Sequence, residues 1–481
     1  MSDDVTRRAA LAAMGAAGVA GLAGCSSGGG GSGEESTDTP SPTESGGGSE
    51  DTPTPTEQAT TAGSAGDASG TVKIGILQPV SGDLKYYGSQ SLWGFYSGLA
   101  HKAGTDPIGD ASTGTKTVEA GDVTYELVVR DSKFSADTAQ SVATTLVTDE
   151  EVDVLFGCAS SGAATRVINT VVQQAGTPYL AGPAASASIT SSSDTCNERV
   201  FRASENTAMD ARSGGTYVAR ETDVSKVYLF GADYSFGRAV VNNYKTVLQN
   251  EGVEIVGEKF VPRGYSKWDG LLTNAEEADA EGIVGGFTVA TLPNLFTAFL
   301  QGDYSYRLFG GFATRITNAV VGQILQKVFG KPLTEEKLEG VKAGPFTTRY
   351  HWNQYDNEIN QSFVDSYTNT YGTVPDLFTS GTFTAASALV QAVEQSGSTE
   401  PDDIVSQLRG MTVSETPKGE DGYTFQEYNN QARSSMTVAG VVPTRDEWAE
   451  SWGAAVQPTE PLATVAGEQA TIPASDVDCS L

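Results

Sequence analysis

Short apolar runs bounded by Gly, Pro or polar residues alternate with helical patterns through most of this chain. "VKIGILQP" (Val72–Pro79), "YELVVRD" (Tyr125–Asp131), "VDVLFGC" (Val152–Cys158) and "PYLAGP" (Pro178–Pro183) read as buried strands. A strand covered on both faces is apolar along its length and does not alternate. Between these runs, Ala139, Val142, Ala143, Leu146 and Val147 share one helix face, as do Ala164, Val167, Ile168, Val171, Val172 and Ala175. Strand, helix, strand in that order predicts a parallel sheet with helices on both faces. The rhythm restarts after "RVFRASEN" (Arg199–Asn206) with strands at Lys226–Gly231, Val253–Pro262, Gly282–Phe287 and Tyr306–Phe312, and a helix marked by Val240, Val241, Tyr244, Val247 and Leu248. Further helices are expected at Ile359–Tyr371 and Thr382–Gln395, with "VKAGPF" (Val341–Phe346) between the two blocks, so the chain should recross between them more than once. The body, about 410 residues, exceeds the size at which one core stops growing, and two α/β lobes are the economical arrangement.

Upstream of this rhythm the pattern is different. Arg7 and Arg8 precede Ala9–Gly24, a run of small and apolar residues too short to span a bilayer comfortably. Leu22-Ala23-Gly24-Cys25 resembles the lipobox of bacterial and archaeal lipoproteins, and the Arg pair resembles a twin-arginine export signal. Residues 1–25 are thus expected to be a lipoprotein signal with Cys25 as the lipid attachment site. From Ser26 to Gly70 the chain is almost entirely Gly, Ser, Thr, Pro, Glu and Asp. Such a segment cannot bury enough apolar surface to offset its ordering entropy, so a solvated tether is expected. Residues 71–481 form the folded part.

Charge and cysteine usage narrow the class. The chain carries 60 acidic against 30 basic residues, a formal charge of −30. That argues against nucleic acid as a partner and points to a surface adapted to high salt, where screening removes self-repulsion. With only 2 histidines, His101 and His351, and no cysteines in metal spacing, a zinc site has little to build on, and no metal or other cofactor is expected. An exported chain can keep a disulfide. Cys196 and Cys479 both sit in polar, turn-like sequence and are the pair expected; Cys158, ending an apolar run, is expected as a buried thiol.

Ligand chemistry should lie where strand ends meet helix starts, because open parallel sheets bind ligands outside the carboxyl ends of their strands. In "VLFGCASSGAATRVINTVV", strand Val152–Phe156 runs into Ser160 and Ser161, both suitable N-cap residues. Free N–H groups and a serine hydroxyl there could receive a carboxylate or carbonyl oxygen, while the same serines could simply cap the helix.

"VKIGILQPVSGDLKYYG", "FGCASSGAATR", "PYLAGPAASASIT", "RVFRAS" and "DYSFGRAVVNNYK" occur in an order and at separations that resemble the periplasmic leucine/isoleucine/valine-binding family, including its amide- and urea-binding relatives, here as a haloarchaeal-like lipoprotein. The resemblance spans Thr71 to about Val442. It implies a type I fold: two α/β lobes, each a parallel sheet flanked by helices, joined by crossovers and closing on a small solute that passes to a membrane ABC importer. Lobe 1 is expected at about 71–202 and 350–430, and lobe 2 at about 203–349 and 431–481. By position the resemblance implies Ser160 or Ser161 as the helix-terminal donor to the ligand. It implies Ala184 and Ser186 as a contact loop, Tyr87 as an aromatic beside the pocket, and Phe236 and Phe287 as aromatic walls of the second lobe.

One departure matters. Amino-acid binders of that family place an acidic residue after the strand written here "YRLFGGFATR", and this chain shows Phe312 in the nearest position. Glu205, after "FRAS", is an alternative source of negative charge, although a solvated surface position is the commoner fate of such a residue. The solute implied is a branched-chain amino acid or an amide- or urea-like molecule, with another small acid open, in an aromatic-rich cleft.

Enzyme chemistry finds no support: "GCASSG" is not a G-x-S-x-G elbow, neither histidine has a triad context, and "FGKP" (Phe329–Pro332) lacks the spacing of a phosphate loop. The expectation is a non-enzymatic, lipid-anchored solute-binding protein on the outer face of the cell membrane, with permease subunits as partners. A ligand-sensing or adhesion ectodomain of the same fold is the alternative.

Overall fold

The computed structural model describes residues 68–479 and 481; the export signal, Cys25 and most of the expected tether lie outside the described residues. In strand β1 (Gly70–Gln78) side chains alternate across the sheet. Val72, Ile74 and Ile76 enter one apolar cluster and Leu77 enters the cluster on the other face. The first sheet adds β2 (Gly114–Ala120), β3 (Val123–Asp131), β4 (Val154–Gly157), β5 (Tyr179–Ala181) and β6 (Val200–Phe201), in the order β2-β3-β1-β4-β5-β6. All its pairs are parallel except β2 with β3. β2, "GTKTVEA", alternates half-buried and exposed positions and so carries no apolar run that sequence reading could detect.

One face of this sheet is covered by helix α1 (Lys85–Ala103) and the helix Thr379–Ser396. Their approach is close enough to require glycine: a Cβ on Gly94 would lie 2.2 Å from Thr382 Oγ1, and one on Gly98 2.2 Å from the Phe383 carbonyl oxygen. The opposite face is covered by the helix Ala136–Thr148 and by α2 (Ser161–Val167), which continues through a wider turn at Ile168–Val172.

The second sheet has β7 (Lys226–Ala232), β8 (Glu254–Val261), β9 (Gly282–Gly286), β10 (Arg307–Gly311) and β11 (Ala343–Thr348), all parallel, in the order β11-β10-β9-β7-β8. Helices α3 (Ser235–Asn250), α4 (Leu292–Gln301) and α5 (Arg315–Phe329) connect them. This sheet is not wholly parallel as expected: Met436–Ala439 adds antiparallel to β11, and Ala463–Val465 adds antiparallel to that strand. These late strands are only 4 and 3 residues long, and pairing with an existing edge supplies what their own length lacks.

The chain passes between the two sheets in the stretches 202–225 and 349–378 and again at 435. A small sheet spanning residues 412–434 sends Tyr423, Phe425 and Ala432 back into the core of the first lobe. Cys196 and Cys479 form a disulfide across 283 residues with Cα atoms 5.8 Å apart. Cys158 is free and buried, and burial pushes its thiol up to about 12.

Candidate solute-binding cleft

Both lobes direct the carboxyl ends of their parallel strands at one cavity of about 110 Å³. On the first side β3 leads to Phe134, β4 to Ala159 and Ser161, and β5 to Pro183. On the second, β7 leads to Tyr234, β9 to Phe287, β10 to Phe312 and β11 to Arg349. Strand ends carry the site because the loops leaving each sheet place side chains over the gap between lobes.

The two candidate serines have different surroundings. Ser160 Oγ accepts the Ala163 N–H at 3.4 Å, an N-cap on α2, and Ser160 does not line the cavity. Ser161 does line it, and its Oγ accepts the Ser186 N–H at 3.1 Å. With that lone pair engaged, the Ser161 hydroxyl proton is available to a ligand oxygen. Ser186 and Ala184 stand behind the wall and not in it: the Ser186 hydroxyl pairs with Ser188 at 2.8 Å, and the carbonyls of both accept from the buried Arg202 guanidinium. Their role is to hold Ser161 and the neighbouring Ala185, which lines the cavity, in place.

Tyr87, expected beside the pocket, Phe236 and Phe287, expected as aromatic walls, and Phe312, nearest the position of the family's acidic residue, all line the cavity. Tyr87 reaches across it: its hydroxyl accepts the Val289 N–H at 3.0 Å, and its ring packs on Phe134 and Phe378 at 6.1 and 5.5 Å. Burial, the largest influence, pushes that phenol up to about 12, so it remains neutral. Phe287 sets its ring edge-on to Trp268 at 5.2 Å, and Phe312 does the same to His351 at 5.0 Å. Each is therefore packed on one side and open to the cavity on the other, both core residue and wall.

The charged residues at the cavity are Asp210 and Arg349. Arg349 donates through Nε to Asp210 Oδ1 at 3.0 Å and through Nη2 to Oδ2 at 2.5 Å, with both side chains buried. Burial opposes the Arg349 charge, but the Asp210 carboxylate and its hydrogen bonds hold the guanidinium above its ordinary value. Glu205, the alternative acid, lies elsewhere: it is buried, 2.6 Å from Lys418 Nζ, and accepts from the Tyr423 and Ser434 hydroxyls. It is neither a surface charge nor a cavity group.

Sequence reading missed Phe134, Tyr234, Phe378, Asp210 and Arg349. Phe134 sits in a loop at φ 56°, a conformation no apolar pattern announces, and Asp210 meets Arg349 across 139 residues. Tyr234 had a usable signal, the "DYSFG" that ends a strand and opens a helix. Among the described residues no group of three or more His, Cys, Asp or Glu side chains could hold a metal ion, and no helix is long and apolar enough to cross a membrane.

Comparison with known proteins fits this geometry. Residues 71–446 match the family described as periplasmic binding protein. The Leu/Ile/Val-binding protein homolog 8 of Brucella abortus (strain 2308) is 24% identical over 387 residues, covering 76% of this chain and 87% of that protein. A periplasmic binding protein from Burkholderia mallei superposes with a TM-score of 0.68 at 19% identity, over 85% of this chain and 98% of the other. A solute-binding protein of an ABC transporter from Rhodopseudomonas palustris, solved with benzoate, gives a TM-score of 0.64 at 18% identity, over 86% and 100%. Two helix-flanked, mainly parallel sheets closing strand ends over one cavity, and a match across most of the chain, place it among the type I periplasmic binding proteins, in the leucine/isoleucine/valine-binding family.

Proposed function

We propose that the chain is the lipid-anchored, extracytoplasmic solute-binding component of an ABC importer, and that its solute is a small carboxylate with a flat apolar body. The observation that carries this is the cavity's composition. Aromatic rings form its walls, and its one acid, Asp210, has both oxygens engaged by Arg349. An amino acid's ammonium group would find no free carboxylate there, while an aromatic ring would find faces and edges to stack on. The ligand's carboxylate sits at the Ser161 hydroxyl and the adjoining Ala159 and Ala185 peptides. The benzoate-bound Rhodopseudomonas protein shows that the fold accommodates such a solute.

Open lobes admit the solute, and closure brings Tyr87 to the Val289 peptide over it. The closed pair of lobes then presents the surface that a permease reads. The formal charge of −30 supports a high-salt setting, and the lipobox at Cys25 with the segment behind it supports a tether holding the binding domain clear of the membrane.

Two outcomes are expected. Ser161→Ala weakens benzoate binding by about 10- to 100-fold, the worth of a hydrogen bond to a charged group, whereas Ser160→Ala costs about 1 kcal/mol of stability through the lost cap and leaves affinity nearly unchanged. Calorimetric titration and thermal unfolding of both variants separate the roles; equal losses of affinity would contradict the assignment. Cys25→Ser moves the protein from the membrane pellet to the soluble fraction in a cell fractionation, and a variant that still sediments contradicts the anchor.

A further inference from the structure

A second cavity, of about 60 Å³, lies behind the first within the second lobe, and the two share Gly285, Leu292, Gly311, Phe312 and Ala313 as walls. Phe309, Val321, Leu325, Leu338, Phe346 and Val456 close its far side. Asn318 supplies the polar side chain there, and its amide already donates to the Ala313 and Thr314 carbonyls at 2.7 and 3.2 Å. Apart from Asn318 the side chains around it are apolar, which makes this a small, mainly apolar void. Protein interiors ordinarily close such voids, because their lining forfeits dispersion contacts.

The side chain between the two spaces is Phe312. It lies two residues after Gly310, at φ 135°, where the pairing of β10 with β11 shifts register between Leu308 and Gly310. The extra residue is on β11, between Ala343 and Phe346, and Phe346 then meets the Phe312 ring. The Phe312 backbone N–H donates to the Thr347 carbonyl at 2.7 Å, and its ring meets Phe346 and His351 edge to face.

We propose that this annex receives the apolar distal end of the solute, with the Phe312 ring as the movable partition between the carboxylate-holding cavity and the annex. The proposal rests on the reading of the main cavity given above. It names the solute class more closely: aromatic carboxylates bearing an alkyl or aryl substituent opposite the carboxylate.

Calorimetric titration of the full chain with benzoate and with 4-butylbenzoate tests it. Wild type should bind the butyl compound at least tenfold tighter, since one buried methylene is worth about fourfold (~0.8 kcal/mol). Val321→Phe, which fills the annex, should bring that ratio down to about one, and Phe312→Ala, which removes the partition, should keep or raise it. If Val321→Phe does not fold, Ala343→Leu fills the same space from β11. A wild-type ratio of one or less, or a ratio that survives in a folded annex-filling variant, overturns the proposal. If neither acid binds, the reading of the main cavity fails and the annex is judged with butylbenzene, which has no carboxylate. A larger thermal shift in wild type than in the filled variant supports the annex, and equal shifts overturn it.

Discussion

Asp210→Ala is expected to lower the protein's stability by about 3–5 kcal/mol, the cost of leaving the buried Arg349 guanidinium without its partner. Both oxygens of Asp210 accept from Arg349, and the Asp210 carbonyl accepts from the Thr347 hydroxyl at 2.8 Å, so residue 210 ties the stretch leaving the first sheet to β11 in the second. The carboxylate also offsets the cost of burying the Arg349 charge. The paired variant Asp210→Leu/Arg349→Met should lose less than the single one, because it removes both charges and their desolvation together. Denaturant unfolding of the three proteins in molar salt checks this. A double variant as unstable as the single one would show that the pair acts through packing alone.

Asp376→Ala should show an effect of similar size, about 3–5 kcal/mol, from orphaning several buried donors at once. Asp376 lies just before the helix Thr379–Ser396 and accepts from the Tyr86 hydroxyl at 3.0 Å, Gln90 Nε2 at 3.2 Å and the Arg315 N–H at 2.7 Å, with His351 Nε2 at 3.4 Å. Tyr86 and Gln90 belong to α1 and Arg315 opens α5, so this one carboxylate joins the lobes beside the Tyr87 crossing. Burial raises the Asp376 pKa, but the neighbouring His351 imidazole and the Arg315 and Leu377 N–H groups outweigh it, leaving the folded value below the ordinary 3.8. A depressed carboxylate stabilises the fold above its unfolded-state pKa and ceases to do so as the pH falls through the folded value. The gap between wild type and Asp376→Ala should therefore be full above about pH 5 and shrink as the pH drops below 3.8. Unfolding curves across that range measure it, and a gap that widens in acid contradicts the assignment.

Where the chain is buried on both faces, its sequence is a direct record of its fold. β1, β3, β4 and β7 are apolar enough to be read one by one, and Ser161 could be placed at a strand-to-helix junction before any coordinates. Elements that draw their stability from neighbours left weaker traces. β2 is a half-wet edge, and the antiparallel pair Met436–Ala439 and Ala463–Val465 needs β11 to define it. The cavity wall was legible in part: Tyr87, Ser161, Phe236, Phe287 and Phe312 stand in stretches that the sequence marks as strand ends or helix starts, Tyr234 was passed over in such a stretch, and Phe134, Phe378 and the Asp210–Arg349 pair are assembled by tertiary structure from distant segments. Which of Ser160 and Ser161 lines the cavity is a fact that no sequence pattern carries.

The central claim, that the cleft takes a small aromatic carboxylate, is tested most directly by thermal unfolding of the purified chain in molar salt against benzoate, 4-hydroxybenzoate, leucine, isoleucine and valine. A ligand that binds only the folded state adds about 2.7 kcal/mol at ~100 times its dissociation constant. The account predicts a saturable upward shift with the aromatic acids that Ser161→Ala diminishes. A shift with the branched-chain amino acids and none with the aromatic acids would contradict it.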